Sequence, residues 1–128
     1  KQQVKKELTE YITDNDSLDA ALTETDSAII LSIKDAKTLP ADFIYRFDKA
    51  GKCMSERVLT HCDSCLSKYL SAALGRKKYE WRKINGNQYI SNFVSRMLIE
   101  LPADSNNFSY TIIRTDWSKQ MYDLLKDN

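Results

Sequence analysis

The 128-residue chain is predicted to fold as a single α+β domain over residues 1–128, an antiparallel sheet of five to six strands with N-terminal, central and C-terminal helices. Three observations predict this class. Apolar residues recur at helical spacing near both ends and in the middle of the chain. The stretches between them alternate apolar with polar residues or run as β-branched blocks. Tight turn signals, above all Asn85-Gly86, join neighbouring strands, and strands joined that closely pair antiparallel.

Val4, Leu8, Tyr11 and Ile12 fall on one face of an opening helix. Leu18, Ala21 and Leu22 continue as a second short helical piece behind a Ser17 cap. The run 28–33 is continuous and β-branched, as in a strand covered on both faces. Phe43, Tyr45 and Phe47 then alternate with Arg46 and Asp48, and the turn at 48–52 needs Gly51 for its positive φ before Cys53 opens the return strand to Thr60. From Asp63 the period changes: Leu66, Tyr69, Leu70, Ala73 and Leu74 form the face of a central helix capped by Asp63 or Ser64 and stopped at Gly75. Residues 79–84 and a strand from Gln88 flank Asn85-Gly86. That second strand extends over 89–101 with a bend near 92–95, and pairs with 108–114 across the polar turn 102–107. Trp117, Met121, Leu124 and Leu125 close the chain as an amphipathic helix capped by Thr115 or Asp116. This order suits a profilin-like, PAS-like or cystatin-like arrangement, a likeness of fold alone.

Composition excludes several classes of function. Hydrophobic residues make up 42% and charged residues 29%, with three glycines and two prolines, so the chain has a core to bury and no linker-like segment. Nineteen basic against 18 acidic residues leave a net charge of +1 and no broad field for nucleic acid or an anionic membrane. No apolar run approaches the ~20 residues of a membrane-spanning helix.

Chemistry concentrates at residues 60–65, THCDSC. A CxxC pair at a helix start lowers thiolate pKa, which dithiol exchange requires, with Cys62 as exposed nucleophile and Cys65 as resolving thiol. Asp63 between them opposes it, and the hairpin after the central helix departs from the βαβ context of thioredoxins. Cys53, His61, Cys62 and Cys65 also count four ligands for a tetrahedral zinc, but adjacent His61 and Cys62 point apart on an extended segment. The structural alternative pairs Cys53 with Cys62 or Cys65 in a disulfide, or buries all three as small hydrophobes. If residues 53–60 are fully extended, Cys53 lies too far from Cys62 for either bond. His61 has no serine-nucleophile motif beside it and suits a surface or capping role. In the basic run 75–83, Tyr79 and Trp81 at strand period face the core while Lys78, Glu80 and Arg82 face water, so nucleic-acid binding is not expected.

Residues 47–53, Phe47-Asp48-Lys49-Ala50-Gly51-Lys52-Cys53, together with Tyr89-Ile90-Ser91, resemble small exported or lipoprotein-type α+β proteins of Bacteroidetes, where an FDxxGKC hairpin recurs. The resemblance implies an exported, periplasmic or outer-surface protein without catalytic residues; a removed leader would then account for a first residue other than methionine, and a cytoplasmic location stays open. The expected function is a non-enzymatic binding or interaction module that holds a protein or small ligand on a concave sheet face or exposed edge. No cofactor is expected, and homo-oligomer formation stays open. The alternative is a thiol-dependent redox protein using Cys62 and Cys65. A deep pocket with convergent polar groups and a perturbed titratable residue would overturn the first.

Overall fold

A computed structural model describes residues 1–14, 20–34, 40–102 and 108–126. In chain order these form α1 (Gln2–Asp14), β1 (Ala20–Glu24), β2 (Ala28–Ile33), β3 (Ala41–Phe47), β4 (Cys53–Thr60), α2 (Asp63–Leu74), β5 (Arg82–Asn85), β6 (Gln88–Ile90), β7 (Met97–Glu100), β8 (Ser109–Arg114) and α3 (Lys119–Lys126). The class is α+β with an antiparallel sheet, as predicted. The sheet, however, has eight strands rather than five to six, in the order β1-β2-β3-β4-β8-β7-β6-β5. It consists of two meanders. After β4 the chain leaves the centre of the sheet, runs back as α2, enters at the far edge as β5 and returns strand by strand until β8 pairs with β4.

Two corrections account for the larger count. The stretch 20–24, expected to be helical, is an edge strand, with Leu22 opposite Leu31 and Ala20 opposite Ile33. Cross-strand apolar contact outweighs the helical spacing of Ala21 and Leu22; Ser17 and Leu18 lie outside the described residues. The run 89–101 divides into β6 and β7 because the backbone turns over residues 91–96, where a bend was expected. There Asn92 Oδ1 accepts from the Ser95 N–H at 2.9 Å, Ser91 Oγ accepts from the Met97 N–H at 2.9 Å, and Arg96 takes a left-handed φ of 50°. The turns at 48–52 and 85–87 form as predicted. Asp48 Oδ1 accepts from the Ala50 and Lys52 N–H groups, both at 2.9 Å, and Gly51 has φ +82°.

Registers decide which side chains share a face. One row crosses the sheet as Ile29, Tyr45, Glu56, Ile112, Ile99, Tyr89 and Lys83; beside it runs Leu31, Phe43, Val58 and Tyr110. On this face α2 lays Leu66, Tyr69, Leu70, Ala73 and Leu74 over the fully buried Val58 and Ile99 and over Tyr110. Tyr69 meets Phe43 edge to face, ring centroids 5.6 Å apart. Tyr11 interacts electrostatically with Tyr69, so α1 lies beside α2. Its first turns are tied to β1 by Lys1 and Lys5, whose ammonium groups stand 3.4 and 2.8 Å from the Glu24 carboxylate and hold it below its ordinary pKa. At the other end α3 packs on β5. It starts later than expected, with Ser118 rather than Thr115 or Asp116 as the capping acceptor for the Met121 N–H, 3.2 Å away. Its buried Tyr122 donates a 2.9 Å hydrogen bond to the Ser91 carbonyl, while Met121 and Leu124 face solvent.

Ile99→Ala removes a side chain with no exposure and is expected to cost ~2–5 kcal/mol in urea unfolding, whereas Leu124→Ala, at a position 73% exposed, should stay within about 0.5 kcal/mol. Equal losses at the two positions would remove Ile99 from the centre of the core.

Candidate functional site

The predicted cysteine cluster resolves into two separate features. Cys62 and Cys65 form a disulfide, their Cα atoms 5.1 Å apart, and Cys53 is free. The expected bridge from Cys53 to Cys62 or Cys65 is therefore not made. The physical reason is β4 itself, which stays extended between Cys53 and Thr60 and holds the two sites at its opposite ends. Cys62 also takes the capping role expected of Asp63 or Ser64. Its backbone is extended at φ −157°, and its sulfur accepts from the Cys65 N–H at 3.1 Å. Cys65 is buried, Cys62 is half-buried and His61 is exposed. Cys53, His61, Cys62 and Cys65 are not brought together as ligands, and among the described residues no group of three or more His, Cys, Asp or Glu side chains is placed to hold a metal ion.

A cavity of about 240 Å³ lies instead between α2 and the sheet. The sheet contributes Phe43 from β3, Glu56 from β4, Met97 from β7, and Tyr110 and Ile112 from β8. Tyr69, Ala72 and Ala73 on the last turns of α2 form the roof, and Arg76, Tyr79 and Trp81 close the side. These last three residues are brought round by the exit from the helix. Gly75 ends α2 with its N–H on the Ser71 carbonyl at 2.9 Å, a 3-10 turn follows over Lys77–Tyr79, and Glu80 takes a left-handed φ of 51° that returns Trp81 to the sheet. Asn92 fastens the turn, its N–H on the Tyr79 carbonyl at 2.7 Å and its Nδ2 on the Lys78 carbonyl at 3.0 Å. The predicted sidedness of this run therefore holds: Tyr79 and Trp81 are half-buried, while Lys78, Glu80 and Arg82 are exposed. A turn produces it rather than a strand over 79–84, and the two rings face a cavity rather than a closed core.

Glu56 breaks the apolar row on which it lies. A carboxylate on the helix-covered face of a central strand loses its hydration, and burial pushes its pKa up. The Arg76 charge and a hydrogen bond with Tyr45 pull the other way but are the smaller effects. The ion pairs among the described residues join Lys1 and Lys5 to Glu24, and Lys119 and Lys126 to Asp123; none includes Glu56. The Tyr45 and Tyr110 phenols are both pushed well above their ordinary value, first by burial and then by the Glu56 charge. Burial, followed by the same charge, also raises the Cys53 thiol. A second cavity of about 250 Å³, lined by Cys53, Ser95 and Arg114 among others, shares Glu56, Met97 and Ile112 with the first, so the carboxylate stands in the wall between the two.

Sequence reasoning passed over Glu56, Arg76 and Tyr110. One signal did mark the first. Glu56, Val58 and Thr60 alternate at period two, so once β4 pairs with the aromatic strand before it, a register that buries Val58 buries Glu56 as well.

With a folded-state pKa above the ordinary 4.5, Glu56 binds its proton more tightly in the native than in the unfolded chain. The stability this gives is present below that value and is lost as pH rises through the folded pKa. Glu56→Gln, which keeps an acceptor for Tyr45, is therefore expected to raise the melting temperature at pH 7 and to flatten the decline between acid and neutral pH. A lower melting temperature across that whole range would show that Arg76 and Tyr45 more than compensate the buried charge.

Compared with family models, curated proteins and solved structures, the chain matched none.

Proposed function

We propose that this protein is a non-enzymatic binding module whose ligand is a small molecule held in the cavity between α2 and the β3-β4-β8-β7 part of the sheet. The observation that carries the reading is the half-buried, partly desolvated carboxylate of Glu56 in a cavity walled by Phe43, Tyr69, Tyr79, Trp81 and Tyr110. Ligand sites have this composition: mostly apolar and aromatic walls with a few polar groups that fix orientation. A pocket with a perturbed acid also fits an enzyme; the state of the neighbouring groups supports the binding reading. Thiol and phenol nucleophiles are activated by a lowered pKa, whereas Tyr45, Tyr110 and Cys53 are all pushed toward their protonated, unreactive forms, so Glu56, though raised as a general acid or base would be, has no activated nucleophile beside it. The proposed binding place is a partly open cavity on the helix-covered face of the sheet, where the sequence suggested a concave sheet face or an exposed edge. An exported, periplasmic or outer-surface location belongs to the same proposal, supported by the disulfide, which persists in oxidising compartments, and by the FDxxGKC resemblance.

A titration of the isotopically labelled chain with a library of small aromatic and aliphatic fragments tests the binding reading by NMR. Shift changes should centre on Tyr69, Trp81 and Ile112. Ala72→Trp, which fills the rim from an exposed position, should weaken every hit at least tenfold. Hits that map to the free edge of β1 and ignore Ala72→Trp would overturn it.

The closed disulfide at the start of α2 favours a second reading, dithiol exchange. A partner dithiol would attack Cys62, the more accessible sulfur; Cys65 would leave as thiolate, and the partner's second thiol would then release its own disulfide as Cys62 becomes a thiol. Equilibration against glutathione, scored by alkylation, separates this role from a structural one. A potential above about −270 mV supports exchange, and one below about −300 mV makes the bond structural.

A further inference from the structure

We propose that the ligand is an organic ammonium ion, an amine bearing a small aryl or branched apolar group, with Glu56 as its counter-ion and the Tyr69, Trp81 and Tyr110 rings around it. This rests on the cavity being the ligand site. Glu56 is half-buried on the helix-covered face and makes no ion pair among the described residues; its hydrogen bond is with the Tyr45 hydroxyl. A partly desolvated carboxylate with no cation in contact, Arg76 acting on it only at a distance, is the group in this wall with most to gain from a ligand, because attraction to a positive charge strengthens as water is excluded. The walls favour the same charge. Aromatic faces are negative and attract a cation within about 6 Å, and the chain already uses the effect at the cavity residue Tyr79, whose ring lies 5.5 Å from the Lys78 ammonium, and at Tyr89, 5.9 Å from that of Lys83.

An anionic ligand is the competing class, since Arg76 lines the same cavity. Arg76 is exposed and hydrated, so it gains little from a new partner, and a ligand carboxylate would be placed against the charge of Glu56. The other titratable groups around Glu56 are Tyr45 from β3, Cys53 from β4 and Tyr110 from β8, all neutral at physiological pH, and Arg114 from β8, which shares the second cavity with the carboxylate but is exposed and makes no ion pair with it among the described residues. Size restricts the ligand further. A cavity of about 150 Å³ holds benzene, so 240 Å³ accepts one ring with a short headgroup.

Three ring-matched probes test the proposal on the full chain by calorimetry with parallel NMR: benzylamine, benzyl alcohol and benzoate. At neutral pH benzylamine should bind at least tenfold more tightly than benzyl alcohol, and benzoate most weakly. Glu56→Gln should bring benzylamine down to the level of the alcohol. On the unmutated protein, lowering the pH to below 4.5 protonates Glu56 while benzylamine stays charged, so benzylamine should lose its advantage and the alcohol should be unaffected. Equal binding of amine and alcohol, or tighter binding of benzoate, overturns the ammonium assignment and leaves the cavity reading standing, because the ring is still held. If none of the three shifts the cavity resonances, both fall.

Discussion

Pairing of β4 with β8, from Ser55 opposite Ile113 to Leu59 opposite Ser109, joins two meanders that are distant in sequence into one continuous sheet. Its entropy cost is that of closing a loop of about fifty residues, and the closure is repaid where the two strands bring Val58 and Tyr110 side by side beneath α2. The crossover helix is what makes this possible. It carries the chain from the centre of the sheet to its far edge and covers the new junction on the way. The β4-β8 seam, the core around Val58 and the roof supplied by α2 are therefore parts of a single arrangement.

The same seam positions the charge. Glu56 sits opposite Ile112 and next to Tyr45, two residues along β4 from Val58, so no register that buries Val58 leaves Glu56 in water. Its burial opposes folding, and the fold retains it among aromatic side chains instead of covering it with an arginine in contact. Left-handed backbone at Glu80, a residue without the freedom of glycine, adds strain beside the same cavity. A local rule is thus broken in sidedness and another in backbone geometry beside one cavity.

Much of this architecture was legible in the sequence because its signals are local. The period of Leu66, Tyr69, Leu70, Ala73 and Leu74, the Asn85-Gly86 turn and the positive φ of Gly51 each depend on a few neighbouring residues, and each appears where expected. What failed depended on partners far along the chain. Leu22 is helical by spacing and a strand by its contact with Leu31; the split of residues 89–101 is set by side-chain bonds from Ser91 and Asn92 that no period announces. The site was the least legible part. Cysteines attract attention by type, whereas Glu56 becomes unusual only when β3 and β8 close on either side of it, and Arg76, Tyr79 and Trp81 join it only through the turn after Gly75.

The disulfide and the cavity occupy opposite ends of one helix, which constrains what each contributes. A cross-link between residues three apart closes a very short loop and removes little entropy from the unfolded chain, so Cys62–Cys65 adds a local fixture at the first turn rather than global stability. What holds α2 to the sheet is its apolar face, and the residues of that face nearest the cavity are Tyr69 and Ala73. Tyr69 packs on Phe43 and lines the cavity with the same ring. Roof and core therefore share residues: a ligand of the proposed kind, seated beside Glu56, would touch side chains that already hold the two meanders together, and its binding energy would add to the contacts that close the sheet.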